Sequence, residues 1–104
     1  MSIDSTQKFA FLFFSDIVGY SQMAANDESH ALNLLDEHDI ILNRCISDHD
    51  GIIIKHIGDA IFAEFSKSKD AIDASIKIQK KLKKRNEISP NADQILIRIG
   101  LHAG

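Results

Sequence analysis

Two β-rich runs, residues 52–57 and 60–65, meet at Gly58-Asp59, and no other feature constrains the fold of this chain as strongly. A glycine and an aspartate between two such runs read as a tight hairpin, so these strands are antiparallel neighbours. Two further strands flank them at a distance. Residues 8–14 are aromatic and aliphatic, as for a strand buried on both faces, and Ile95, Ile97, Ile99 and Leu101 alternate along a last strand.

The segments between are helical. Gly19 ends the first strand and a short helical turn follows from Tyr20 to Ala25. Asn26 or Asp27 caps the next helix, along which Leu34, Leu35, His38, Ile41, Leu42 and Cys45 form one apolar stripe, and Asp50-Gly51 stops it. Ser66 or Ser68 caps a second long helix carrying Ala71, Ala74, Ser75, Ile78 and Leu82, its lysine-rich end suiting the helix dipole. Pro90 closes the loop before the last strand. The sum is an α+β fold: a ferredoxin-like βαββαβ sandwich, an antiparallel sheet with helices on one face. Right-handed crossovers then give strand order 4-1-3-2, which sets the end of strand 1 beside the central hairpin. Asp16 and Asp59, far apart in sequence, are brought together by topology.

Composition bounds the rest. The 104 residues allow one small domain, read here as residues 1–104, with 44% apolar and 26% charged residues and a formal charge of −3. That mild acidity argues against a dedicated nucleic-acid binder. One cysteine, Cys45, forms no internal disulfide, which fits a reducing, cytoplasmic compartment. Met1 to Gln7 has no basic cluster of the signal-peptide kind, and no stretch approaches the roughly 20 apolar residues of a membrane span. Membrane attachment would come only through parts absent from this chain.

Carboxylates placed where apolar strands stop are candidates for holding Mg²⁺ against the phosphates of a nucleotide. Separately, each acid has a plainer role: Asp16 capping a turn, Asp59 forming one. Side by side they would repel unless a cation lay between them. After Asp16, Ile17, Val18, Gly19 and Tyr20 lead into a helix start, where backbone N–H groups suit an anion, and Ser21 adds a hydroxyl. Lys55, in a run otherwise rich in isoleucine, is either the solvent-facing lysine of an edge strand or a donor to a base. His30, His38, His49, His56 and His102 lack zinc-ligand spacing. His38 reads as a hydrogen-bonded core residue, and the run Lys80 to Arg85 as a solvated helix end.

Three segments carry a family resemblance. Phe14-Ser15-Asp16-Ile17-Val18-Gly19-Tyr20-Ser21, Lys55-His56-Ile57-Gly58-Asp59-Ala60 and Ile97-Arg98-Ile99-Gly100-Leu101-His102-Ala103-Gly104 resemble successive motifs of the class III nucleotidyl cyclase catalytic domain, in order and spacing. The resemblance implies two Mg²⁺ or Mn²⁺ ions on Asp16 and Asp59, with the Ile17 carbonyl as a further ligand. It also implies a triphosphate lined by Val18, Gly19, Tyr20 and Ser21, and base selection by Lys55, a lysine of the adenylate type. The implied reaction is cyclisation of ATP to cyclic AMP and pyrophosphate, in a homodimer joined through the catalytic domain. Tyr20 and Ser21 stand where the family more often has phenylalanine and threonine. The chain reads as the N-terminal part of such a domain, truncated after the fourth strand. The family's second base-selecting residue and its transition-state asparagine and arginine fall beyond Gly104, so the piece alone is expected to be inactive. Two alternatives stay open: a non-catalytic cyclase-like module that binds nucleotide or a partner, and another palm-like transferase of the diguanylate cyclase type. Ala60, where the latter carries an extra acid, speaks against the second.

Overall fold

The computed structural model of the protein describes residues 10–104; the N-terminal reading of Met1 to Gln7 and the first two residues of the 8–14 strand, Lys8 and Phe9, lie outside the described residues. Period-two burial defines the first strand, β1 (Phe11–Ile17): Phe13, Ser15 and Ile17 are buried, whereas Leu12 and Phe14 are 39% and 47% exposed. This corrects the expectation of a strand buried on both faces. Helices cover one side of the sheet only, so alternate residues of β1 face outward.

Two helices follow, α1 (Tyr20–Asn26) and α2 (Glu28–Asp48), before the hairpin β2 (Ile52–Ile57) and β3 (Ala60–Phe65). Then come α3 (Ser68–Glu87), a 3₁₀ turn (Asn91–Asp93) and β4 (Ile97–Ala103). The sheet order is β2-β3-β1-β4, and each neighbouring pair is antiparallel. This is the expected topology. Asp27 caps α2 by accepting the His30 amide at 3.1 Å. At α3 the cap differs from expectation: helix geometry begins at Ser68, so Lys67 occupies the cap and no side chain accepts a bond there. Asp70 in the first turn supplies the favourable charge instead.

The core lies between sheet and helices. Phe13, Ile17, Ile61 and Phe65 from the strands meet Leu34, Leu42, Ile46, Ile78 and Leu82 from α2 and α3. Phe13 and Phe65 pack edge to face with centroids 6.2 Å apart. The last strand starts two residues later than its alternation suggests. The Asn86 amide takes both backbone groups of Ile95, at 3.0 and 2.8 Å, in place of a strand partner. Arg85 holds the same loop, gripping Glu37 of α2 through two bonds of 2.7 and 2.9 Å and donating to the Asp93 carbonyl. That guanidinium holds the Glu37 carboxyl below the usual range. Among the described residues, no helix is long and apolar enough to cross a membrane.

His38 is the one fully buried histidine of the core. Its Nδ1 lies 2.8 Å from Asp39 Oδ1, and its Nε2 has no partner among the described residues. Burial pushes its pKa below the ordinary 6.5, outweighing the Asp39 and Asp59 charges that act the other way, while His56 adds to the lowering. A histidine kept neutral in the fold but free to protonate when unfolded gives stability that is complete above 6.5 and lost as pH falls through the lower folded value. Urea midpoints should therefore drop between pH 7 and pH 5, and His38→Phe should flatten that drop. An equally steep drop in the variant would contradict this assignment.

Candidate functional site

Pairing between β1 and β3 runs from Phe11↔Phe65 to Ser15↔Ile61, so the β2–β3 turn overhangs the last residues of β1. There the Ile17 amide donates to Asp59 Oδ2 at 2.7 Å, across 42 sequence positions. The turn aspartate thus replaces the backbone acceptor that β3 no longer provides. Gly58 at that turn has φ 58°.

Asp16 stands one residue earlier, on the outward face, opposite Arg98 of β4. Arg98 Nε donates to Asp16 Oδ1 at 2.9 Å, with the arginine side chain 70% exposed. So open an ion pair is screened by water and is little hindrance to exchanging partners. Among the described residues, the second oxygen of each carboxylate accepts no hydrogen bond. Asp16, Ile17, Gly19, Tyr20, Ser21, Gln22, Asp59 and Arg98 line one polar cleft of about 370 Å³. Burial pushes the Tyr20 phenol up, and the negative Asp59 adds to the effect.

The candidate phosphate loop is formed by Gly19, which caps α1 at φ 76° and ψ 14° with no side-chain acceptor on the helix's first amides. Its carbonyl takes the Met23 amide at 3.0 Å. Val18 differs from its neighbours: its amide is committed to the Leu96 carbonyl at 2.7 Å, and it is not among the residues that line the cleft. Tyr20 and Ser21 do line the cleft.

Lys55 lies apart. It occupies the exposed edge strand β2, about 10 Å from β1 by two strand spacings, and does not line the acid cleft. Its Nζ sits 5.8 Å from the centre of the Phe62 ring. The sequence reading missed Arg98 as a site residue. A signal existed, since Asp16 and Arg98 fall opposite once β1 and β4 are paired antiparallel.

Hard divalent cations take oxygen ligands and accept phosphate and water among them. The donors here, two carboxylates and the Ile17 carbonyl between them in sequence, are of that kind and fit such an ion. Among the described residues no group of three or more histidine, cysteine, aspartate or glutamate side chains is gathered for a metal, so protein alone would not fill the coordination sphere.

Comparison with known proteins defines the class. Residues 3–104 match the family model of the adenylate and guanylate cyclase catalytic domain. The chain belongs to that family. It is 27% identical over 100 residues to putative adenylate cyclase 3 of Rhizobium meliloti (strain 1021), covering 94% of this chain and 17% of that protein. It is also 27% identical over 95 residues to the serine/threonine-protein kinase pkn2 of Myxococcus xanthus, covering 89% of this chain and 11% of that one. A solved bacterial light-regulated adenylyl cyclase superposes with TM-score 0.84 at 28% identity, over 93% of this chain and 54% of that chain. The chain therefore spans only part of the relatives it matches.

The left-handed backbone at Gly19 is directly testable. A Cβ there meets nothing within 4 Å, so Gly19→Ala carries only the backbone penalty, roughly 1–2 kcal/mol. The melting temperature should fall by about 4–8 °C per kcal/mol lost. An unchanged melting temperature would show that the loop does not need this conformation.

Proposed function

We propose that this chain is part of an adenylate cyclase catalytic domain that binds ATP with two Mg²⁺ or Mn²⁺ ions and serves its conversion to cyclic AMP and pyrophosphate. The observation that carries the reading is the shared cleft of Asp16 and Asp59, closed by the bond from Ile17 to Asp59. Asp16, Asp59 and the Ile17 carbonyl would hold the ions. When bound, these would lower the pKa of the ribose 3′-hydroxyl and neutralise charge on the phosphates. The 3′-oxygen would attack the α-phosphorus and give its proton to water, while the bond to the pyrophosphate oxygen breaks and pyrophosphate leaves.

Each residue has a defined task in this reading. The two aspartates orient the reacting groups, and the amides and hydroxyl around Gly19, Tyr20 and Ser21 receive the terminal phosphates. Arg98 leaves Asp16 and turns its guanidinium to the phosphates, a transfer that its exposure makes inexpensive. Lys55 donates to a ring nitrogen of adenine. Because Lys55 lies outside the acid cleft, it suits a nucleotide shared between two copies of the domain. The outward face of the sheet supports such pairing: Leu12, Phe14 and Leu96 are 39%, 47% and 57% exposed, an apolar surface that association would cover. The single buried cysteine, Cys45, suits a cytoplasmic setting.

Calorimetric titration with a non-cyclisable ATP analogue and Mn²⁺ tests the reading. Wild type should bind, while Asp59→Ala should bind at least about tenfold more weakly, one such factor being 1.4 kcal/mol. Equal binding by both would remove the metal assignment. Loss of several preorganised transition-state donors, each worth about 10²–10³ in rate, should leave these 104 residues alone without measurable cyclic AMP formation. Light scattering should show self-association at high concentration; a clean monomer would count against the paired arrangement.

A further inference from the structure

One row of side chains crosses all four strands on the outward sheet face. Lys55 of β2 is paired in register with Phe62 of β3, Phe62 with Phe14 of β1, and Phe14 with Gly100 of β4. The contacts follow the register. The Lys55 ammonium sits 5.8 Å from the Phe62 ring centre, within the range of attraction between a cation and an aromatic face. Phe62 and Phe14 stack with centroids 6.2 Å apart and planes 21° from parallel. Phe14 in turn lies over Gly100, where a Cβ would collide with its ring atoms Cε1 and Cζ. Gly100 thus vacates the space that lets Phe14 settle beside Phe62.

We propose that Phe62, backed by Phe14 and Gly100, is the positioning residue that holds Lys55 for base selection. This rests on the adenylate reading of Lys55 given above. A lysine on an exposed edge strand has many rotamers, and an unrestrained ammonium discriminates poorly between an acceptor and a donor on a purine ring. A local irregularity favours a fixed place: the β2–β3 register shifts between Ile53 and Lys55, bringing Lys55 opposite Phe62. The aromatic face supplies attraction without a competing acceptor. The lysine therefore keeps its hydrogens free for the base. Lys55 sets adenine over guanine, and the row behind it sets how well.

Two arms separate this proposal from the reading beneath it. In the first, NMR records the side-chain resonances of Lys55 in the nucleotide-free chain. Aromatic ring current should shift its ε-methylene protons upfield of those of other lysines in wild type and in Phe62→Tyr, but not in Phe62→Leu. Unshifted Lys55 resonances in wild type would overturn the proposal without any variant. In the second arm, the ratio of Mn²⁺·ATP to Mn²⁺·GTP affinity is measured by competition. Phe62→Leu should narrow the ratio by about two- to fivefold, as loss of an exposed cation–aromatic contact allows, and Phe62→Tyr should restore it. Narrowing by Lys55→Ala together with an unchanged ratio in Phe62→Leu would overturn the positioning role. No effect of Lys55→Ala would instead remove the adenylate reading, with the resonances still deciding where Lys55 is held.

Discussion

The bond from the Ile17 amide to the Asp59 carboxylate is the constraint on which the site depends. It joins the end of β1 to a turn 42 residues later at 2.7 Å. One end of it belongs to the sheet and the other to the polar cleft. β3 stops pairing with β1 at Ile61, so without Asp59 the Ile17 amide would lose its acceptor at a partly buried position. The same carboxylate keeps a second oxygen open to the cleft. A residue that secures the strand end therefore also fixes where a cation and its phosphates would sit, and catalytic geometry of this kind tolerates little displacement.

Much of this was legible in the sequence because period and punctuation agreed. Residues 52–57 and 60–65 around Gly58-Asp59 admitted only a hairpin, and the stripe from Leu34 to Cys45 admitted only a helix packed on its face. Strand order then followed from crossover handedness, and the meeting of Asp16 and Asp59 followed from strand order. What escaped was decided by single side chains or by tertiary context. The apolar run ending in Phe14 looked doubly buried because a lone strand does not show which faces helices will cover. Local cap preference favours the serines on either side, yet the backbone places Lys67 at the cap of α3. Ile95 continues the alternation of β4, yet Asn86 takes its backbone groups instead.

Lys55, Phe62, Phe14 and Gly100 share one row, whereas Asp16 and Arg98 share another nearer the strand ends. In the proposed function, base recognition and phosphate chemistry would occupy the same face at different heights, with β3 and β1 between Lys55 and the Arg98 edge. Membership of the cyclase family, the fold and the cleft are consistent with this division. The surrounding apolar surface would be covered by association, so assembly and catalysis share one surface in this account.

The most direct measurement is Mn²⁺ paramagnetic broadening in a two-dimensional amide spectrum of the chain. Substoichiometric Mn²⁺ should bleach the amides of Asp16, Ile17, Gly58 and Asp59 first and leave those of α3 sharp, and excess Mg²⁺ should reverse the effect. Broadening centred elsewhere, or none at all, would contradict a cation site at the junction of β1 and the hairpin.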